Sequence, residues 1–299
     1  MKSNLALMTI ISTLALAGSV HAQASNQEAP VPQEQGGKQR ELGKHRFVMP
    51  SEFDNAFVGT SLAFDQGFGQ LSVKSADGDG KLFLLRERFR LAVGLGDRIA
   101  LVGSADARAG VAGDEDTLLA LAGVANLEFR VGAKARLVTL DEAGLQLSFG
   151  LNFRPTMTYA VTPSQAFATG STKQLLQKQS VSYVEPGLMV AWGGGPLGVQ
   201  VALAPSVTTN SSKGESELFA GAGVTLDFGN PSLSHVPIAL DVEYNLDKTF
   251  DGTSPQHFVT SGIFYSGKRD LQLGLRYSVI AGKADERLQF GMLCLGYFF

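Results

Sequence analysis

The sequence predicts an all-β protein, a closed antiparallel up-and-down barrel of about twelve strands. Three observations lead to this prediction. From Asn55 onward, apolar residues recur at every second position, which is the period of a strand whose two faces meet different surroundings. The alternating segments run to about 10–15 residues, and tight turns alternate with longer polar connections between them. The chain ends on an alternating apolar run that closes with Phe299.

The chain that precedes the barrel has two parts. Residues 1–22 resemble a secretory signal peptide, with Lys2, the apolar run 5–16 and then small residues; this run is too short to span a membrane. Ala22 and Ala24 both offer a cleavage site. Residues 23–54 are rich in Gln, Glu, Pro and Gly and predict a flexible periplasmic leader, with a plug that dips into the barrel as the alternative. Residues 55–299 form the predicted barrel.

Composition excludes several classes of protein. The 28 acidic and 25 basic residues nearly balance, so nucleic acid is not an expected partner. Cys294 is the only cysteine, so no intrachain disulfide is possible, and we expect it to be inert filler. The predicted mature part has no uninterrupted apolar run near 18 residues, which excludes a helical membrane protein.

The predicted strands follow one another along the chain in a regular series. In 145–154, for example, Leu147, Phe149 and Leu151 share one face, whereas Ser148 and Asn152 share the other. The full series is 56–66, 82–96, 98–108, 118–134, 145–154, 181–193, 197–208, 217–228, 236–247, 257–267, 270–280 and 287–299.

The connections indicate that the barrel crosses a membrane. Tight turns at 96–98, 141–144, 193–196 and 266–270 alternate with longer polar connections, as expected when one end of each hairpin faces the periplasm and the other the exterior. A soluble sandwich would have shorter strands, of about 5–6 residues. The less apolar face mixes small residues with charges of both signs, which suits the inside of a closed barrel. Closure also pairs every backbone group, as hydrocarbon demands.

The C-terminal segment "FGMLCLGYFF" resembles the last strand of Gram-negative outer-membrane β-barrel proteins. That resemblance implies an outer-membrane location, contact with outer-membrane lipid, and recognition by the barrel-assembly machinery through Tyr297 and Phe299. The sequence departs from the family pattern at Cys294, where a glycine is common.

Inward-facing charges are the main functional lead. "LLRERFRLAVGLGD" at 84–97 places three arginines at alternate positions opposite an apolar face, with Glu87 as a misfit on the apolar side. We explain Glu87 by a hydrocarbon zone that begins below it, or by a bulge. The predicted lumen-lining residues are Arg86, Arg88, Arg90, Glu128, Arg130, Arg154, Glu185, Asp241, Glu243 and Arg276. They either line an aqueous path that selects solutes or form a closed, mutually paired network. Their mixed signs argue against a dedicated anion channel.

No constellation predicts an enzyme, a metal site or a cofactor. The barrel resembles the twelve-stranded outer-membrane phospholipases, whose His and Ser lie two residues apart. Here His257 and Ser261 are four apart, roughly 13 Å at strand rise, with Val259 between them. The acidic runs at 77–80 and 113–116 lack the spaced series of oxygen ligands that Ca²⁺ prefers.

The favoured function is therefore a passive, porin-like channel for a small solute that the sequence does not identify. A non-conducting structural or interaction barrel that acts through its extracellular loops is the alternative, and a lipid-modifying enzyme comes third.

Overall fold

A computed structural model describes residues 40–75, 78–114, 117–161, 176–209, 216–250, 255–281 and 286–299. A two-residue turn at Gly43 and Lys44, both with positive φ, joins the short strands β1 (Glu41–Leu42) and β2 (His45–Arg46). Twelve long strands follow: β3 (Ser61–Ser75), β4 (Gly78–Leu95), β5 (Ile99–Asp114), β6 (Thr117–Leu140), β7 (Leu145–Val161), β8 (Leu176–Gly194), β9 (Leu197–Thr208), β10 (Ser216–Asp227), β11 (Ile238–Thr249), β12 (Gln256–Tyr265), β13 (Leu271–Ala281) and β14 (Glu286–Phe298).

Each long strand pairs antiparallel with its neighbours in sequence, and β14 pairs with β3 to close the barrel. The predicted fold class and strand number are therefore confirmed. Among the described residues, no helix is long and apolar enough to cross a membrane.

Several strands are longer than predicted, mostly at the end of the barrel opposite the tight turns. The first strand begins at Ser61 rather than at residue 56, because the apolar residues 56–58 pack inside the barrel instead of joining its wall. β6 has 24 residues and β8 has 19, against about 9–11 needed to cross hydrocarbon. Both strands are therefore longer than a membrane crossing requires.

The outer face of the barrel is apolar. Exposed side chains include Leu91 and Val93 on β4, Phe149 and Leu151 on β7, and Leu293 on β14. Their neighbours along each strand point inward. On β4 and β7 these include the polar residues Arg90 and Asn152, whereas on β14 Met292 and Cys294 belong to a buried apolar cluster. An apolar belt around a closed sheet is typical of barrels that cross a membrane.

Glu87 lies on the outer face, as its position in the sequence predicts. The pairing of β4 with β3 and β5 runs without a break from Leu82 to Ala92. A bulge, one of the two explanations offered for Glu87, is therefore wrong.

The two mouths of the barrel differ. Five connections meet at the mouth where β3 begins and β14 ends, which we call the turn mouth. They join β4 to β5, β6 to β7, β8 to β9, β10 to β11 and β12 to β13. Gly96, Gly144 and Gly195 adopt positive φ in three of these turns. The opposite end is the far mouth.

Candidate functional site

Residues 40–60, which we call the plug, form a loop inside the barrel. The plug enters at the turn mouth, where the Arg40 guanidinium donates to the carbonyls of Lys268, Arg269 and Leu271 at 2.9–3.0 Å. It leaves at the same mouth, where Thr60 O accepts a 3.0 Å bond from the Phe299 amide. Between these points, residues 51–54 reach the middle of the barrel wall.

This location corrects one prediction. A flexible leader was predicted for 23–54, and it is wrong for the described part, residues 40–54, which pack inside the barrel as in the alternative. Polar composition was misleading because the lumen is itself polar and binds polar chain. The predicted signal peptide and residues 23–39 lie outside the described residues.

Side chains of the wall hold the backbone of the plug. Gln272 Oε1 accepts from the Met49 amide at 2.8 Å, and Arg276 donates to the Met49 carbonyl at 2.5 Å. Further bonds follow the same pattern: Gln200 to Val48 O, Arg90 to Pro50 O, Lys134 to Asn55 O, and both Gln146 and Ser148 to Ala56 O. Because these bonds satisfy peptide groups buried away from bulk water, they replace the regular secondary structure that residues 47–60 lack.

Aromatic residues of the plug fill spaces left by glycines of the wall. Phe47 packs against Phe57 with ring centroids 4.9 Å apart. A Cβ atom at Gly198 would come within 2.8 Å of the Phe47 ring, and one at Gly221 within 2.6 Å of Phe53. The glycines of the inner face thus make room for the plug.

His45 is completely buried at the turn mouth, with its ring edge-on to Phe47 at 4.6 Å. Neither ring nitrogen makes a hydrogen bond of good geometry within the described residues, although the backbone of Gly195 and Pro196 lies near the ring. Burial lowers the pKa of His45 to about 4, although Asp227 opposes the shift. The plug is therefore seated with a neutral histidine.

The arginine series of β4 binds the tip of the plug. Arg86 holds the Glu52 carboxylate with two bonds, of 2.7 and 2.9 Å, and Asp106 of β5 at 2.6 Å. Burial disfavours the charge on Glu52, but Arg86 and then Arg88 outweigh it and lower the pKa of Glu52 to about 2. The two-pronged contact is the geometry in which a guanidinium binds a carboxylate best.

Arg88 and Arg90 share one carboxylate of the wall. Asp65 of β3 lies 2.6 Å from Arg88 and 3.0 Å from Arg90. Arg90 also donates to the carbonyl of Pro50, so this pair links the wall to the plug.

A second cluster lies on β6, β7, β8 and β10. Arg154 contacts Glu185 at 2.6 Å, Glu217 at 2.6 Å and Glu128 at 3.2 Å. Arg130 contacts Glu185 at 3.2 Å and Glu128 at 3.6 Å. This cluster joins four of the predicted residues and adds Glu217.

A third cluster joins β11 to β13. Arg276, with no exposed side-chain surface, lies 3.1 Å from Asp241 and 3.0 Å from Glu243. Glu243 in turn accepts bonds of 2.7–2.9 Å from the amide and hydroxyl of Ser51. All ten predicted residues thus face the interior, and they fall into three clusters rather than one ring.

A cavity of about 420 Å³ lies between the tip of the plug and the far mouth. Its charged lining differs from one side to the other. The β4–β6 side contributes Arg86, Arg88, Arg90, Arg108 and Arg130 against Asp106 and Glu128. The β7–β11 side contributes Arg154 against Glu185, Glu217 and Asp247. The wall is therefore positive on one side and negative on the other.

Sequence reasoning missed Glu52, Asp54, Arg108, Lys134, Glu217 and Asp247. The last four lie on inward positions of predicted strands or in their direct continuation, so the alternation contained the signal. The two plug carboxylates had no such signal, because no periodicity marks residues 40–60.

The other candidate residues from the sequence lie outside the lumen. His257 lies on the outer side of β12 and pairs with Tyr244 Oη at 2.7 Å. Tyr297 and Phe299 are exposed at the turn mouth with ring centroids 4.8 Å apart. Within the described ranges, no group of three or more His, Cys, Asp or Glu residues is arranged to hold a metal ion.

No protein-family model and no curated protein sequence matches the chain. Solved structures do match. The translocator domain of the autotransporter NalP from Neisseria meningitidis is 15% identical with a TM-score of 0.52, covering 81% of this chain and 89% of that one. The transport unit of the autotransporter AIDA-I from Escherichia coli is 12% identical with a TM-score of 0.51, covering 85% and 94%. The COG4313 outer membrane channel from Pseudomonas putida F1 is 13% identical with a TM-score of 0.49, covering 85% and 100%.

At such identities the likeness concerns the fold. The chain is a closed twelve-stranded antiparallel β-barrel with the fold of outer-membrane barrels.

Proposed function

We propose that this protein is an outer-membrane channel for small polar solutes and that its own plug closes the lumen at rest. The observation that carries this proposal is the charged cavity above the plug tip. A barrel that serves only as a scaffold has no need of such a space, because side chains can fill a narrow interior. Here the plug fills one half of the lumen and leaves a polar cavity in the other.

The way in which the wall holds the plug also supports the proposal that the plug acts as a gate. Both of its ends lie at the turn mouth, so the loop can withdraw without passing through the barrel. The wall holds the backbone of the plug through polar side chains, and water can replace these hydrogen bonds when the plug moves out.

Location and assembly belong to the same proposal. The apolar outer face suits lipid, and the exposed aromatic pair Tyr297 and Phe299 is suitably placed for the barrel-assembly machinery. No enzymatic step and no cofactor are part of the proposed function.

Conductance across planar bilayers tests the channel. We expect the full chain to conduct rarely and the Phe47→Ala variant, whose plug is weakened, to conduct more often. Phe149→Ala, which removes an equal ring from the outer face, is the control and should behave like the parent. Absence of step currents from both the parent and Phe47→Ala would overturn the proposal.

Selectivity tests the role of the lumen charges. Replacing Arg86, Arg88 and Arg90 together with Gln should shift the open state of the Phe47→Ala channel towards cations, because the positive side of the lumen loses its charge.

A second candidate is a non-conducting structural barrel. It is favoured by one observation, which is that every one of the ten predicted lumen residues takes part in an ion pair. In that case the triple arginine variant would lose thermal stability and no variant would conduct.

A further inference from the structure

We propose that the cavity above the plug binds a small amphoteric solute, one that carries both a carboxylate and an ammonium group. The inference rests on the proposed channel function in one respect: this solute would be the one that passes. The volume of about 420 Å³ is within the range of roughly 300–1,000 Å³ that is usual for small-molecule sites.

The positive side of the cavity offers Arg108 to a carboxylate. Its side chain is 43% exposed, far more than that of Arg86 at 6%, and its ion partner is Asp106 on its own strand. Asp106 is already bound by Arg86 at 2.6 Å. Arg108 therefore shares a carboxylate that is largely engaged elsewhere and keeps donors free for a ligand.

The negative side of the cavity offers Asp247 to an ammonium group. It lies on β11 and faces inward, like Asp241 and Glu243 on the same strand. Among the described residues it makes no hydrogen bond and no ion pair, whereas Arg154 of the second cluster is engaged by three other carboxylates. A half-buried carboxylate that no described residue pairs with favours a cationic ligand.

The fold places these two groups on opposite sides of the lumen. In the order of strands around the barrel, β5 and β11 are six strands apart in either direction. A solute with a single charge would satisfy one side and leave the other unpaired. A solute with both charges can satisfy Arg108 and Asp247 together.

The plug shows how a carboxylate docks on the positive side. Glu52 reaches the cavity floor and receives two bonds from Arg86 at 2.7 and 2.9 Å. The carboxylate of a solute that arrives from the far mouth first meets Arg108 and then competes with Glu52 for Arg86. Solute binding therefore also weakens one contact that seats the plug.

Calorimetric titration of the detergent-purified full chain tests the inference without requiring conductance. The probes are 4-aminobutyrate, butyrate and butylammonium, which share a carbon chain and differ in charge. We expect 4-aminobutyrate to bind at least about tenfold more tightly than either singly charged probe, because it makes one more charge-assisted contact.

Variants locate the site. Arg108→Gln and Asp247→Asn should each weaken 4-aminobutyrate binding by about tenfold or more, to the level of a singly charged probe. Lys248→Gln is the matched control, because Lys248 adjoins Asp247 and points out of the barrel. Glu52→Gln removes the competing carboxylate and should strengthen binding.

The possible outcomes distinguish failure of the binding site from failure of the channel. Equal affinity for butyrate and 4-aminobutyrate, or no binding even to the Glu52→Gln variant, would overturn the inference. Binding with no conductance from any variant would retain the site and refute the channel. Conductance in salt without binding of 4-aminobutyrate would retain the channel and refute the binding site.

Discussion

Truncation of Phe47 to alanine should release the plug. Phe47 is only 1% exposed, and its ring contacts both His45 and Phe57. Removal of a buried phenylalanine ring costs about 3–5 kcal/mol. Since the plug is a loop bound to a barrel that is closed without it, this cost should fall on seating of the plug rather than on the barrel. A loss of 3 kcal/mol raises the unseated fraction roughly 150-fold.

A glutamate-specific protease measures that fraction, because Glu52 is sealed in the lumen while the plug is seated. When the plug exchanges faster than it is cut, cleavage tracks the unseated population. Cleavage after Glu52, identified by mass spectrometry, should therefore accelerate roughly 150-fold in Phe47→Ala and remain unchanged in Phe149→Ala. A change of less than about threefold in Phe47→Ala would refute the reasoning that the ring seats the plug.

Three further predictions concern the same contacts. Gly198→Ala should also accelerate this cleavage, because the added Cβ would overlap the rings of His45 and Phe47, whereas Gly291→Ala, with open space around its Cβ position, should not. Lowering the pH from 6.5 to 4 should unseat the plug. His45 has a pKa of about 4 when the plug is seated and an ordinary pKa near 6.5 when it is not, so in this pH range only the unseated form takes up a proton. His45→Leu should abolish this part of the pH response, whereas His257→Leu should retain it. Arg276→Met should lower barrel stability by about 3–5 kcal/mol in heat-denaturation assays, because two buried carboxylates lose their cation, whereas Arg269→Met on the surface should cost less than about 1 kcal/mol.

Much of the barrel could be predicted from the sequence because its rule is local. In β4, the alternation of Arg86, Arg88 and Arg90 with Phe89 and Leu91 follows directly from the geometry of an extended chain between water and lipid. The same rule points all ten predicted lumen residues inward, since none of them depends on distant contacts for its direction.

The plug could not be predicted in this way, because its structure is specified by the wall. Met49 and Ala56 have no regular secondary structure and are fixed by Gln272, Arg276 and Gln146, residues that lie about 90 or more positions away in sequence. Local composition made this segment look like a linker. The grouping of the lumen charges into three clusters was hidden for a related reason, since it depends on which strands are neighbours and on where the plug tip ends.

The path of the plug bears on how the barrel can assemble and on how the plug can return to its seat. The plug leads directly into β3, and the amide of Phe299 bonds to Thr60, so the first and last strands meet where the plug returns. Assembly can close the seam first and seat the loop afterwards, because no free end has to be threaded. The C-terminal end of the plug is covalently continuous with β3, so the plug remains attached to the rim of the barrel whether or not it is seated. In the proposed channel, the plug would therefore stay at high local concentration after it withdraws and would reseat without any strand being unpaired.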